Sequence, residues 1–249
     1  MTEASWLPAI GLSILVPWAL GVLLAARLLA RSECWNLWLL AGHGYVLGVV
    51  FTTFIIRACD AVGLGSGLAP VLVAHAILAL AMLASLRVHW RPVVAHAAPR
   101  VPDLARWELV LAILLLSWMA LRLITLTQEM SVRPLFAWDA WMNWVPKALV
   151  YFHNGELSTF ISPEAWLAQS DAGLDYTLGN YAAWKYPITV PLIQYWGMLS
   201  TGIPDSPLVY LHWPMLLFAL SLALYGHLRL AGMRIVHSLL CAYLLLSVP

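Results

Sequence analysis

The chain has 249 residues, 62% apolar and only 10% charged, with a formal net charge of +1 and a mean hydropathy of +0.82. A soluble domain carries about 25% charged residues, so this composition excludes one and places the chain in a bilayer, while the near-neutral charge offers nothing to nucleic acid. Fourteen tryptophans suit a protein with much of its surface at the membrane interface, where indole is favoured.

About 20 apolar residues are needed to cross roughly 30 Å of hydrocarbon. Residues 6–26, 35–56, 61–86 and 109–126 form four such runs, and residues 208–228 and 235–249 form two more. The first run has no basic stretch before it, and Glu3 stands there instead, so it is read as a retained span and not a signal peptide. Cys34, Cys59 and Cys241 are far apart and lack a C-x-x-C spacing; neither a disulfide framework nor a metal site is expected from them. The segment 87–106, with Pro92, Pro99 and Pro102, is the one module boundary. It separates a three-helix membrane extension, residues 1–106, from a second part, residues 107–249.

Orientation follows from basic residues, which are enriched in cytoplasmic loops. Arg27, Arg31, Arg87, Arg91, Arg100, Arg106, Arg229 and Arg234, eight of the 13 Lys and Arg, fall in loops assigned to the inside. The wet segment, residues 128–206, then faces outward. It holds Glu129, Asp139, Glu156, Glu164, Asp171, Asp175 and Asp205 against Arg133, Lys147 and Lys185. This scheme requires that residues 187–202 do not cross. Their apolar stretch of about 15 residues is short for a span and is expected to form a juxtamembrane helix; a tilted span is the alternative.

Within this segment the chain reads Trp138-Asp139-Ala140-Trp141-Met142-Asn143-Trp144-Val145-Pro146-Lys147, and later Lys185-Tyr186-Pro187-Ile188-Thr189-Val190-Pro191. Trp138, Trp141, Met142, Val145, Leu149 and Phe152 share one helical face, whereas Asp139, Asn143 and Lys147 recur every fourth residue on another. Such a helix is expected to lie in the outer interface, aromatic side toward lipid and polar side toward water. Pro146 should kink or split it, and Asn154-Gly155 should stop it.

Asp139 has two readings that spacing does not separate: an N-cap or solvated charge, or a general base desolvated among Trp138, Trp141 and Trp144. Lys147, Arg133 and Lys185 are either interfacial anchors whose side chains snorkel to headgroups or phosphate contacts. Anchoring is the favoured reading for Lys147 and Arg133, and Lys185 is open. Trp184 and Tyr186 either stack on a sugar or sit in the aromatic belt, the belt being favoured. Asp171, Asp175, Glu164 and Glu156 have no recognised spacing for Ca²⁺ or Mg²⁺ ligands, so no metal is expected. His153 is read as a helix-end residue, Arg122 as an anchor near the outer end of its span, and His43, His75 and His212 as partners in hydrogen bonds between helices.

The order of a span, an outward Trp-Asp followed by Trp-Val-Pro-Lys-Ala, a loop, a Tyr-Pro-x-x-x-Pro-Leu helix start and further spans resembles the GT-C superfamily of polytopic glycosyltransferases. The likeness is to the bacterial relatives of dolichyl-phosphate-mannose protein mannosyltransferases and to lipopolysaccharide-core sugar transferases, and it covers residues 109–249. The resemblance implies an all-α membrane fold of about six transmembrane helices with extracytoplasmic juxtamembrane helices, in a bacterial inner membrane. It also implies inverting transfer of a sugar from a polyprenyl-phosphate donor to an acceptor hydroxyl on a glycan, lipid or protein; no cofactor is expected, a divalent metal being the less favoured alternative. Carried over by position, Asp139 is the loop base, Lys185 the basic residue ahead of the helix proline, and Tyr186, Lys147 and Arg133 further candidates for contact with the lipid phosphate. The chain departs from the pattern in its three extra spans, in Ala140 where some members have a second acid, and in ending before a second acidic site. It is therefore read as an N-terminal portion. The rival class is a membrane protein without catalysis, a transporter or an assembly or scaffold subunit; a transporter is expected to hold its site at the midplane and to show repeats, neither of which is seen.

Overall fold

The computed structural model describes residues 6–30, 35–87, 105–132, 140–169, 175–178, 182–204 and 206–247. Among them the helices are α1 (Trp6–Leu29), α2 (Leu37–Ala61), α3 (Leu68–Arg87), α4 (Arg106–Val132), α5 (Val145–Asn154), α6 (Pro163–Leu167), α7 (Thr189–Thr201), α8 (His212–Leu230) and α9 (Ile235–Leu246). The sole extended pairing among the described residues is an isolated bridge between Phe160 and Tyr176. The protein is an all-α polytopic membrane protein.

Five of these segments are long and apolar enough to cross a bilayer: α1, α2, α3, α4 and Pro207–Leu230, in which a 3₁₀ turn leads into α8. The sixth expected run, residues 235–249, is helical as α9, Ile235–Leu246, and residues 248–249 lie outside the described residues. Two boundaries differ from the hydropathy reading. α2 continues past the apolar run through Arg57 and Asp60 to Ala61, and α3 starts only at Leu68, because a turn with Gly63 and Gly65 at φ 76° and 75° intervenes. Backbone hydrogen bonding continues a helix beyond the hydrocarbon; hydropathy does not register that.

The contacts divide the chain into two compact units. The first, here the loop unit, comprises residues 1–14, 52–75 and 130–210, and the second, the span unit, residues 15–51, 76–129 and 211–249.

In the span unit, helices approach closely where side chains are missing. A Cβ on Gly21 of α1 would fall 1.8 Å from the Gly44 carbonyl oxygen, and one on Gly48 of α2 1.8 Å from the Pro17 carbonyl oxygen. Gly44 and Gly48 are one helical turn apart, the small-x-x-x-small spacing that lets membrane helices gain dispersion contact without a hydrophobic drive. Trp18 seals the same seam, donating Nε1–H to the Ala41 carbonyl at 2.9 Å and meeting Tyr45 edge to face with centroids 5.8 Å apart. On its other side α2 meets α8: a Cβ on Gly42 would lie 2.4 Å from the Ala219 carbonyl oxygen, and Asn36 Nδ2 donates to the Gly226 carbonyl at 2.9 Å. Arg27 of α1 donates Nε–H to Ser85 Oγ of α3 at 2.7 Å. The histidines serve these seams too: His43 and His227 share a bond of 3.0 Å, and His212 Nδ1 bonds the Tyr45 hydroxyl at 2.9 Å.

Gly48→Ala therefore forces a methyl group into backbone that has no flexible side chain to yield. The expected loss is about 1–3 kcal/mol, the usual cost of overpacking, read as a lowered midpoint of denaturant unfolding in detergent. Gly11→Ala, where nothing lies within 4 Å of the added Cβ, is expected to leave the midpoint in place.

Candidate functional site

The loop unit is built on hydrogen-bonded aromatic and polar side chains. Residues Ala140–Trp144 form one π-helical turn that passes into α5 at Val145, with Pro146 in the first turn of α5. The change of helix type falls where proline removes a backbone donor. α5 stops at Gly155, whose φ of 71° and N–H bond to the Tyr151 carbonyl make a left-handed cap.

The face of this segment that carries the polar residues is turned inward. Asn143 and Lys147 are both 0% exposed, whereas Met142, Val145, Leu149 and Phe152 are only half-buried. This corrects the expectation of a polar face toward water and of a snorkelling Lys147. In a bilayer environment an outward apolar side chain costs nothing, so the buried face is free to be the one with hydrogen bonds to make.

Lys147 makes them. Its Nζ donates to the Tyr186 carbonyl at 3.1 Å and more weakly to the Trp184 carbonyl at 3.4 Å, and lies 5.5 Å from the centroid of the Phe160 ring. The ammonium thus sits between two backbone dipoles and an aromatic face, arrangements that replace part of its lost hydration. Burial holds its pKa below the ordinary lysine value of 10.5.

The next turn of α5 extends the network. Tyr151 is buried, edge-on to Phe160 at 5.9 Å and to Tyr195 of α7 at 6.0 Å. Tyr195 donates its hydroxyl to the Ser66 carbonyl at 3.0 Å, while Ser66 Oγ donates to the Gly155 carbonyl at 3.1 Å. Asp60, at the end of α2, accepts from Leu157 N–H at 3.0 Å. Burial and, less, the Asp60 carboxylate push the Tyr151 phenol up to about 12, partly offset by Arg57; burial likewise raises Tyr195. Both phenols are therefore hydrogen-bond donors at neutral pH, not bases.

α7 is enclosed on nearly every side, its residues 191–198 all being buried. At 13 residues it is about 20 Å long, short of a span, and it ends at Gly202 with φ 69°. It is a buried helix within this unit and not a helix resting on a surface. Trp196 donates to the Ser13 carbonyl at 2.8 Å and stacks on His75 at 5.4 Å; His75 in turn bonds Thr52 Oγ1 at 2.9 Å. Gln194 is 1% exposed, and its Oε1 has no hydrogen-bond partner among the described residues.

Of the residues singled out from sequence, Lys147 and Tyr186 are brought together, the ammonium of one on the carbonyl of the other. Lys185 lies in the same 3₁₀ turn, Ala183–Lys185, exposed, with Nζ 5.2 Å from the Trp184 ring centroid. Asp139, Arg133 and Asp171 lie outside the described residues. Asp175 accepts from Gln169 Nε2 at 2.7 Å, and Glu156 and Glu164 are exposed; among the described residues no three His, Cys, Asp or Glu side chains gather as metal ligands. Sequence reasoning passed over Asp60, Ser66, Tyr151, Gln194 and Tyr195. The signal for Asp60 and Ser66 was a carboxylate one turn past an apolar run, followed by Gly63, Gly65 and Gly67.

No family model, curated protein or solved structure matches the chain. Its class therefore rests on its own fold, that of an integral, all-helical polytopic membrane protein with five helices able to span.

Lys147→Met keeps the aliphatic stem but leaves two buried carbonyls without their donor, a loss of about 1–3 kcal/mol. Trypsin is expected to cut faster after Lys185 in the variant as the Trp184–Tyr186 turn loosens, followed by mass spectrometry of the fragments. The lowered folded-state pKa also has a sign: between it and 10.5 the unfolded chain binds more protons, so stability rises with pH. Across that window wild type should gain stability relative to Lys147→Met in denaturant titrations, and a parallel response would refute the charged, buried Lys147.

Proposed function

We propose that this protein is a membrane glycosyltransferase that moves a sugar from a polyprenyl-phosphate donor to an acceptor hydroxyl, with inversion at the anomeric carbon. Asp139 takes the acceptor proton as the hydroxyl oxygen bonds to the anomeric carbon; the bond from that carbon to the phosphate oxygen breaks, and the lipid phosphate leaves with the electron pair. Lys185 meets the phosphate as it gains charge, which an outward cation or donor at that point stabilises. In the same reading the loop unit faces away from the cytoplasm across a bacterial inner membrane.

The observation that supports this reading is the Lys147 clamp. The Trp-Asp motif and the Lys-Tyr-Pro motif lie some 40 residues apart in sequence, with Lys147 and Tyr186 separated by 39. The helix that begins at Ala140 is tied by Lys147 to the carbonyl of Tyr186, so the segment that follows the Trp-Asp motif in sequence is held to the Lys-Tyr-Pro motif. An assembly subunit would need the clamp but neither Asp139 nor Lys185.

The test is sugar transfer from a polyprenyl-phosphate-sugar pool in membranes by the full-length gene product. Asp139→Asn is expected to lower turnover by about 10²–10⁴-fold, the usual worth of a positioned base, with normal insertion. Lys185→Gln should lower it as well while Lys185→Arg retains most of it. Equal turnover in wild type and Asp139→Asn would remove Asp139 from the reaction, and transfer from no donor would sink the enzyme reading in favour of the assembly subunit.

A further inference from the structure

The span unit holds an apolar groove of about 590 Å³ between α4, α8 and α9. Leu109, Leu116 and Leu123 of α4, Phe218 and Leu222 of α8, and Leu239 of α9 line it. From Leu109 to Leu123 it follows α4 for about 21 Å at 1.5 Å per residue. One leaflet contributes about half of the 30 Å hydrocarbon thickness, so an acyl chain of one leaflet runs most of that length. The groove's length suits a hydrocarbon chain, and an apolar volume of this kind, within ~300–1,000 Å³, is that of a ligand pocket.

One end of the groove is cationic. Arg234 directly precedes the lining residue Ile235; its guanidinium lies 5.9 Å from the Trp107 ring centroid and bonds Glu108 Oε1 at 2.6 Å, yet its side chain stays 61% exposed. Glu108 is spent locally, its other oxygen accepting from Ala105 N–H at 3.1 Å. Arg106 is exposed one turn before Leu109, and Arg229 is one turn past the lining residue Tyr225. Three arginines and one paired carboxylate leave two positive charges at this mouth, against the single Arg122 beside Leu123 at the other end. Basic pockets between membrane helices are where anionic headgroups bind.

We infer that this groove is a binding site for one anionic phospholipid, its acyl chain along α4 and its phosphate at Arg106 and Arg234. The site is independent of the transferase reading: the lipid is a bound constituent and undergoes no reaction. It also accounts for α4, a helix whose buried residues are only Glu108, Ala112 and Met119, and whose packing a resident chain would complete.

The experiment is native mass spectrometry of the full chain in detergent, titrated with phosphatidylglycerol or with phosphatidylcholine of the same chains. Wild type is expected to retain one phosphatidylglycerol in preference to phosphatidylcholine. Ala120→Trp, which places an indole in the groove, should abolish retention of both. Arg106→Gln with Arg234→Gln should lower the preference by about fivefold for each arginine while leaving phosphatidylcholine unchanged. Unaltered retention in a monodisperse, fully helical Ala120→Trp, equal retention of the two lipids by wild type, displacement of phosphatidylglycerol by an equimolar polyprenyl phosphate, or a lipid-free dimer would each overturn the assignment. A spin-labelled phosphatidylglycerol added to wild type needs no variant: an immobilised component in its spectrum is expected, and its absence would also overturn the assignment.

Discussion

The loop unit is organised around one buried charge. An ammonium removed from water costs several kcal/mol even after relaxation, so Lys147 can be 0% exposed only where other dipoles take the place of solvent. The carbonyls of Tyr186 and Trp184 and the face of Phe160 do so, and each comes from a segment with no helical length of its own to fix it. The charge therefore selects the conformation of the chain around it: the turn at Ala183–Lys185 must bring the carbonyls of Trp184 and Tyr186 to Nζ, and Phe160 must lie above it. A neutral side chain at 147 would impose no such requirement. The hydrogen bonds of Ser66, Gly155 and Tyr195 then close the other side of α5, and Asp60 fixes the strand that leaves it.

The span unit rests on a different constraint. Lipid and leucine are equally apolar, so membrane helices gain nothing by hiding leucine from lipid and associate through close backbone approach and a few polar ties. Gly21, Gly42, Gly44, Gly48 and Gly226 supply the approach, and Trp18, Asn36, His43 and His212 the ties. Leucines consequently face outward, as along α4, where Leu111, Leu114 and Leu121 are exposed. The glycine and the leucine positions have exchanged the places they would hold in a soluble bundle.

That exchange explains which parts of the fold were legible in the sequence. Five spans could be read because length and hydropathy are properties of a segment alone. The sixth run is likewise helical, as α9. The split at Pro146 and the stop at Gly155 were legible for a local reason, a missing donor and a left-handed φ. The orientation of α5 was not. Amphipathic periodicity finds two faces but identifies the buried one by assuming that the polar face meets water, and here the assumption fails: Asn143 and Lys147 are buried.

The same reasoning bears on the candidate site. The motifs at residues 138–147 and 185–191 drew notice through tryptophan, charge and proline, yet nothing in either motif states that they meet; what joins them is a side chain read from sequence as an anchor in the headgroups. Because Lys147 is committed to two main-chain oxygens and an aromatic face, it is poorly placed to take a phosphate as well, and the burial that lowers its pKa sets a further cost on moving it. Lys185, exposed on the same turn, has no such commitment to backbone oxygens among the described residues, and its ammonium lies over the Trp184 ring. Of the two lysines, the buried one fixes the geometry of the turn, and the exposed one is the one that the proposed transfer can use, a difference that follows from where each ammonium finds its dipoles.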